Sequence, residues 1–182
     1  IQLVCHQRCQ ELMLVHGQGT LNEARQTTPL LEEVILRTPD IVFNEGQLVL
    51  HVGNKSIEIC LTPGHTLDST VAYVREDKVL LAADTVMPVP YFVWGNRHAF
   101  KQSLNLLKEY NLESIVQGHG EVLLRGEIPI SLDSSIKYLD VLEEKVTKII
   151  ERGLSRQTLD RLTIESCGKS RIPLNGLVQD LH

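Results

Sequence analysis

The spacing of hydrophobic residues divides this chain into a part rich in strands and a part rich in helices. From Ile41 onward apolar and polar residues alternate, which predicts short strands that each bury one face. Four such strands follow one another closely, and their short connections favour antiparallel pairing. The predicted strands are 48–52, 57–61, 71–74 and 78–83.

After these strands the apolar residues recur every three or four positions, which predicts helices. One helix is predicted over 97–110, and a longer one runs from a cap at Ser131 or Asp133 to Arg152. A short apolar strand, 114–116, lies between them. The residues expected to face the core in the two helices are Phe100, Leu104, Leu107, Ile136, Leu139, Leu142, Val146, Ile149 and Ile150.

The first forty residues give a weaker pattern. Residues 1–4 suggest the end of a strand, and 6–16 a helix that Gly17 and Gly19 are expected to stop. The segment 22–37 is ambiguous, with short helical pieces. No internal repeat or linker is evident. We therefore expect one domain over 1–182.

The C-terminal part of that domain, 129–182, is predicted to be a helical tail. Gly153 ends the long helix, and Ser155 is expected to cap a last one. After Cys167 the pattern fades, which predicts an irregular end.

The overall composition narrows the function classes. The chain has 182 residues, of which 42% are hydrophobic and 23% charged, as in an ordinary globular protein. A net charge of -5 and the lack of a basic block argue against nucleic acid or an anionic membrane as a partner. No apolar stretch approaches the ~20 residues that span a bilayer. We expect a cytoplasmic protein that acts on a small molecule, and the sequence does not indicate its oligomeric state.

The cysteines fit a reducing compartment. Cys5, Cys9, Cys60 and Cys167 form neither a disulfide framework nor a C-x-x-C pair. Cys5 and Cys9, together with His6, could belong to a metal cluster or could pack inward from an early helix. Packing is the simpler interpretation, because a closed zinc site usually needs four ligands.

Three potential metal ligands each follow a predicted strand. His65 lies in the segment TPGHT, Asp84 in AADT and His119 in QGHG. Each has a plainer interpretation as a turn or capping residue. The repeated placement of His, Asp and His beyond strand ends is more specific than any single motif. A carboxylate at the end of a buried strand is also costly unless it is paired or bound to a cation.

Together these segments resemble the third, fourth and fifth metal motifs of the metallo-β-lactamase-fold hydrolases, most closely the cyclase-like or sulfur-oxidation-associated group. The resemblance covers about 1–126 and implies an α/β fold of α+β type, the αββα sandwich. It implies that His65 completes a three-histidine site for one metal, that Asp84 bridges both metals and that His119 completes the second site.

The opening H-x-H-x-D-H run of that family does not occur in the chain. We expect it to lie upstream of Ile1, so that this chain is an N-terminally incomplete fragment. The alternative is a natural chain that has lost the motif. On the first interpretation the chain alone is expected to bind metal poorly and to be inactive.

The resemblance implies a catalytic centre in the complete protein with two Zn²⁺ ions, although Fe or Mn could occupy such ligands. A hydroxide would attack an ester, thioester or lactone, with Asp84 as the catalytic bridging carboxylate. An aspartate in place of cysteine there disfavours β-lactam substrates. The alternatives are an oxidoreductase resembling the mononuclear Fe persulfide dioxygenases, and a non-catalytic fragment or interaction domain.

Two further features bear on the site. The loop 87–94 is expected to line the cleft through Tyr91, Phe92 and Trp94, or else to pack those rings on the core. Thr66 and Thr85 either support the ligands by hydrogen bonds or are simple turn residues.

Overall fold

Six strands form one mixed sheet in the described part of the molecule. The structure is a computed structural model that describes residues 2–171. The strands are β3 (Gln47–Val52), β4 (Lys55–Leu61), β5 (Thr70–Val74), β6 (Val79–Ala83), β7 (Ser114–Gln117) and β8 (Leu123–Leu124). They lie in the sheet in the same order as in the sequence.

Two helices follow the strands. They are α3 (Arg97–Leu107), between β6 and β7, and α4 (Ile128–Glu151), after β8. Helices together with a mixed sheet confirm the predicted α+β fold class. The described residues contain no helix that is long and apolar enough to cross a membrane.

The pairing of the strands brings two of the candidate ligands to one edge of the sheet. β4, β5 and β6 pair antiparallel, as predicted, whereas β7 lies parallel to β6. A parallel neighbour requires a crossover connection, and α3 supplies it. The carboxyl ends of β6 and β7 therefore lie side by side, so Asp84 and His119 leave the sheet at the same edge.

The core lies where these helices meet the sheet. The predicted inner face of α3 is confirmed, because its three apolar members are buried. In α4 the burial fades along the helix: Leu139 is fully buried, whereas Ile150 is 69% exposed. Ile150 was thus wrongly predicted to face the core, since the last turn extends beyond the packed part. The fully or nearly fully buried apolar residues include Val71, Leu80, Ala82, Phe100, Leu104, Leu107, Ile115, Leu132 and Leu139.

Helix α4 begins earlier than its predicted caps. It starts at Ile128, with Pro129 in the first turn, where its fixed φ and missing N–H suit a helix start. The last predicted helix is a 3₁₀ turn, Arg156–Arg161, and the Ser155 side chain makes no capping hydrogen bond. The end of the irregular tail, 172–182, lies outside the described residues.

Contacts within the chain divide it after Leu48 into two compact units. In the smaller unit the short strands β1 (Val4–His6) and β2 (Ile41–Phe43) pair in parallel. Helix α1 (Gln7–Leu12), a π-helical turn (Met13–Gly17) and α2 (Gln18–Thr27) follow β1 in sequence. The single domain expected from the sequence stays a prediction.

The predicted stop at Gly17 and Gly19 is wrong, because the helical course continues through both. Gly17 lies close to the end of the Leu36 side chain, because a Cβ there would lie 2.9 Å from Leu36 Cδ2. The π-helical turn that ends at Gly17 accommodates one extra residue without ending the helix.

Candidate metal centre

Asp84 is presented by an irregular end of β6. The register of β6 on β7 shifts between Leu81 and Ala83, and Ala83 adopts a left-handed φ of 43°. Such a conformation costs a non-glycine residue roughly 1–2 kcal/mol. The amide N of Gly118 donates to the carbonyl O of Ala83 at 2.7 Å, which holds the bulge against the start of the His119 loop. Bulges commonly redirect a side chain beside a functional site, and this one presents Asp84.

His65 lies in a turn that is anchored to α3. Ser103 Oγ donates to the carbonyl O of Pro63 at 2.8 Å. The His65 ring packs edge-on against Tyr91, with ring centroids 4.7 Å apart, and His65 Nδ1 lies 3.0 Å from the carbonyl O of Tyr91. A carbonyl oxygen can only accept, so Nδ1 carries the hydrogen. In the neutral ring the lone pair is then on Nε2.

The Asp84 carboxylate lies between the two imidazoles. His65 Nε2 is 3.5 Å from Oδ2, and His119 Nε2 is 3.5 Å from Oδ1. For neutral His65, a nitrogen lone pair faces a carboxylate lone pair, an arrangement that favours a cation or a proton between them. The structure thus brings together all three ligands predicted from the sequence, with one carboxylate oxygen directed at each ring.

The distances fit a bridging cation better than a direct hydrogen bond. Charge-assisted N–H···O bonds are usually about 2.7–2.9 Å long. Two ligand atoms of a tetrahedral Zn²⁺ ion are about 3.4 Å apart when each lies about 2.1 Å from the metal. The N···O separations of 3.5 Å on both sides of Asp84 are close to this ligand-to-ligand distance. The donor set of imidazole and carboxylate also suits zinc.

Each pair nevertheless supplies only part of a metal site. A zinc ion commonly has four ligands, and each oxygen of Asp84 with its histidine gives two. Within residues 2–171, no group of three His, Cys, Asp or Glu side chains is placed to hold one ion. That holds for Cys5, His6 and Cys9 as well. His6 instead caps α1, where its Nδ1 accepts from the amide N of Arg8.

A buried hydroxyl pair, of which only Thr85 was expected from the sequence to support the site, joins the turns that carry His65 and Asp84. Thr62 Oγ1 and Thr85 Oγ1 are 2.9 Å apart, and both residues are almost fully buried. Thr85 therefore supports the site through Thr62 rather than through a ligand. Thr66, the other predicted supporter, bonds Ser69 within its own turn. The sequence signal for this pair was a threonine in each of the two motifs, Thr62 at the start of TPGHT and Thr85 at the end of AADT.

The close approach of two chain segments at Asp84 requires a glycine at 118. A Cβ on Gly118 would lie 2.1 Å from Asp84 Oδ1 and 2.7 Å from the carbonyl O of Ala83. No side chain fits there without displacing the carboxylate. The first glycine of the QGHG motif is thus part of the site, although it carries no ligand.

The loop after β6 is joined to the His65 turn through its backbone. The amide N of Val93 donates to the carbonyl O of His65 at 2.8 Å, and the amide N of Asn96 donates to that of Gly64 at 3.1 Å. Gly95 passes so close that a Cβ would lie 1.7 Å from the carbonyl O of Gly64.

The structure confirms part of the packing interpretation of this aromatic loop, whereas its role in lining a cleft stays a prediction. Met87 and Val89 are buried, and the Phe92 ring packs edge-on against Phe100, as expected if the loop packs on the core. Tyr91 contacts His65, whereas Trp94 is 85% exposed. The loop therefore has an inner part that belongs to the core and an outer end beside the candidate centre.

The buried cysteine of the larger unit's sheet is not a second reactive centre. Burial raises the pKa of the Cys60 thiol, and Cys60 Sγ lies 3.2 Å from the Tyr110 hydroxyl, whose pKa burial also raises. Both groups are therefore protonated at neutral pH, and a thiol rather than a thiolate is a poor nucleophile. No disulfide joins any of the four cysteines.

Proteins with similar sequences have β-lactamase-like names. The chain is 25% identical over 109 residues to the "Beta-lactamase-like protein 2 homolog" of Caenorhabditis elegans, covering 60% of this chain and 36% of that protein. It is 22% identical over 151 residues to the "Lactamase-like protein nscB" of Neosartorya fischeri, covering 81% of this chain and 45% of that protein. The chain thus spans less than half the length of either relative. No protein-family model matches it.

Solved structures with a similar fold agree with these relatives. The sec-alkylsulfatase Pisa1 from Pseudomonas sp. aligns with a TM-score of 0.65 at 13% identity, over 89% of this chain and 31% of that one. A metallo-β-lactamase family protein from Thermus thermophilus aligns with a TM-score of 0.56 at 17% identity, over 79% of this chain and 54% of that one.

These comparisons confirm the predicted resemblance to the metallo-β-lactamase fold superfamily. At such low identity the structural alignments establish the fold alone. The finer assignment to a cyclase-like or sulfur-oxidation-associated group stays a prediction.

Proposed function

We propose that the larger unit is part of a metal-dependent hydrolase in which His65, Asp84 and His119 are metal ligands. The observation that carries this proposal is the Asp84 carboxylate, which has an imidazole Nε2 3.5 Å from each oxygen. Two Zn²⁺ ions in the complete site suit this donor set, and Fe or Mn are the alternatives.

The residues of this chain have distinct roles in that proposal. The carbonyl of Tyr91 accepts from His65 Nδ1, which fixes the ring orientation and makes Nε2 a better donor. The negative charge of Asp84 offsets the positive charge that its two oxygens would bind. When bound, such a pair of cations supplies hydroxide near neutral pH and polarises the bond to be cleaved.

The proposed substrate class is an ester, thioester or lactone of a small molecule, in a cytoplasmic protein that binds neither nucleic acid nor membrane. An acyl carbon suits attack by hydroxide at such a centre. The net charge of -5 gives no electrostatic attraction for polyanions.

Zinc binding tests the ligand assignment directly. We would measure the zinc affinity of the natural full-length protein by titration against a chromogenic chelator, for the wild type and for Asp84→Asn, which keeps the shape of the side chain. Because Asp84 is shared by both histidines, Asp84→Asn should weaken binding at least about tenfold. His51→Ala, at an exposed histidine of β3, is the matched control and should change nothing. Equal affinities for wild type and Asp84→Asn would refute the assignment.

Metal content and turnover of the natural full-length protein test the reaction class. Two zinc ions per chain with hydrolysis of thioesters or lactones would support the proposal, and Asp84→Ala should abolish turnover while the protein stays folded. One iron with oxygen uptake would establish the oxidoreductase alternative instead. No stoichiometric metal after dialysis would leave the non-catalytic alternative.

A further inference from the structure

The outer end of the loop beside His65 carries an exposed tryptophan that the fold does not need. Trp94 is 85% exposed and is the only tryptophan of the chain. Its φ of 77° lies in the left-handed region, which is a genuine outlier for a bulky side chain. A glycine would adopt this conformation without strain. Neither burial nor backbone geometry therefore explains why a large ring occupies this position.

The position of Trp94 is nevertheless fixed by the candidate ligand turn. The residues on either side of the Trp94–Gly95 pair, Val93 and Asn96, donate backbone hydrogen bonds to the carbonyls of His65 and Gly64. Strained conformations that neighbouring contacts hold in place are found most often at functional sites.

The segment that carries the ring favours contact with an apolar group. The segment Tyr-Phe-Val-Trp-Gly at 91–95 contains no charged residue. The nearest cation along the chain, Arg97, pairs with Glu143 of α4. Phe92 and Val93 add partly exposed apolar surface next to the indole. A flat apolar surface beside a hydrolytic centre is suited to an aryl or alkyl group of the substrate.

We infer that Trp94 is a specificity residue that packs against the apolar group of the substrate. This inference rests on the proposed function and narrows its substrate class to esters with a bulky aryl or alkyl group. The backbone bonds from Val93 and Asn96 to the His65 turn hold the backbone of Trp94 beside that turn. Small polar esters would then gain nothing from the ring.

Tryptophan fluorescence tests this inference without requiring turnover, because all of the tryptophan emission comes from Trp94. We would titrate the chain with 4-phenylbutyrate and, as a matched control, with butyrate, which has the same carboxylate but no ring. The expected result is a saturable change in emission with 4-phenylbutyrate alone. No response, or an equal response to both acids, would overturn the inference. A response only to phosphatidylcholine vesicles would overturn it in favour of a lipid surface.

Turnover of two esters by the metal-loaded full-length protein tests the selectivity itself. Trp94→Gly should lower the ratio of kcat/KM for ethyl 4-phenylbutyrate over ethyl butyrate at least about tenfold, as loss of one buried apolar group does. The Tm should stay the same or rise, since glycine removes the strain, and Trp94→Phe should retain most of the ratio. An unchanged ratio with continued hydrolysis would overturn the inference alone. Absence of hydrolysis with a fluorescence response would overturn only the proposed function.

Discussion

The two histidines that face Asp84 are held in very different ways. The His65 side chain is only 8% exposed, and its Nδ1 is bonded to the carbonyl of Tyr91. The His119 side chain is 37% exposed and lies in a short loop between two glycines after β7. The same carboxylate thus joins a rigidly supported ligand to a more exposed one.

This difference indicates that the His65 half of the centre is preorganised by the fold. Its turn is fixed by α3, by the loop 91–96 and by the hydroxyl bond between Thr62 and Thr85. The His119 half depends on the pairing of β6 with β7 and on the lack of a side chain at Gly118. Changes on the His65 side should therefore affect stability most, and changes on the His119 side should affect metal binding most.

The largest loss of stability is expected from Gly95→Ala on the His65 side. The new Cβ would lie 1.7 Å from the carbonyl O of Gly64 and 2.5 Å from that of His65, so the backbone must move. The free energy of unfolding should fall by about 3 kcal/mol or more, measured by urea denaturation. Gly126→Ala is the control, because a Cβ there meets open space. Similar losses for both variants would contradict the close packing at Gly95.

Gly118→Ala should weaken metal binding as well as stability. Its Cβ would lie 2.1 Å from Asp84 Oδ1 and 2.7 Å from the carbonyl O of Ala83, so both the carboxylate and the backbone of the bulge must shift. We expect a loss of about 1–3 kcal/mol in unfolding free energy and a loss of zinc affinity of at least about tenfold. If the zinc affinity stays at the wild-type value, Asp84 is not held in place by this contact.

The link between the His65 and Asp84 turns can be measured with threonine-to-valine changes. Thr62→Val alone leaves the buried hydroxyl of Thr85 without its partner, which should cost about 1–3 kcal/mol. Replacing both residues removes both polar groups, so the double variant should be more stable than the sum of the two single losses predicts. Additive losses in denaturant unfolding would show that the two hydroxyls do not depend on each other.

The smallest effect is expected at Lys169, which bonds Ser135 of α4 rather than either half of the centre. Burial lowers the pKa of Lys169 to about 8, from an ordinary value of 10.5. Between these values the unfolded chain binds more protons, so this group makes the protein more stable as the pH rises.

Lys169→Met lacks this ionisable group, so the variant should be more stable than the wild type at low pH. The difference in unfolding free energy between the two proteins should shrink between about pH 8 and pH 10.5, where the wild type gains stability. Urea denaturation at about pH 7.5 and about pH 10.5 measures the difference. The zinc affinity of Lys169→Met should equal that of the wild type, because Lys169 does not contact the candidate centre. This variant therefore serves as a control for the losses of zinc affinity predicted above. Parallel pH dependences of stability for the two proteins would contradict the buried state of this lysine.

Much of the sheet and the meeting of the three candidate ligands were predictable from the sequence, because both depend on local patterns. The alternation of apolar residues located the strands, and the polar residues beyond them marked Asp84, His65 and His119. Neither the bulge at Ala83 nor the acceptor role of Tyr91 was predictable, since both arise where distant segments meet. A main-chain carbonyl is present at every residue, so only the fold reveals which one orients a ligand.

Three glycines also show that contacts between distant segments could not be predicted from local sequence. Gly17 was expected to stop a helix because glycine has a low helix propensity, but the helical course continues through it, so this local preference did not decide the structure. Gly95 and Gly118 have no comparable local signal, because their importance comes from a carbonyl and a carboxylate elsewhere in the chain.

The central claim is that a cation, and not a proton, belongs between Asp84 and its two imidazoles. Crystals of the natural full-length protein soaked in zinc and measured at the zinc absorption edge test it most directly. We expect anomalous peaks between His65 Nε2 and Asp84 Oδ2, and between His119 Nε2 and Asp84 Oδ1. No peak at either position, with both N···O distances shortened to the hydrogen-bonded range of about 2.7–2.9 Å, would contradict it.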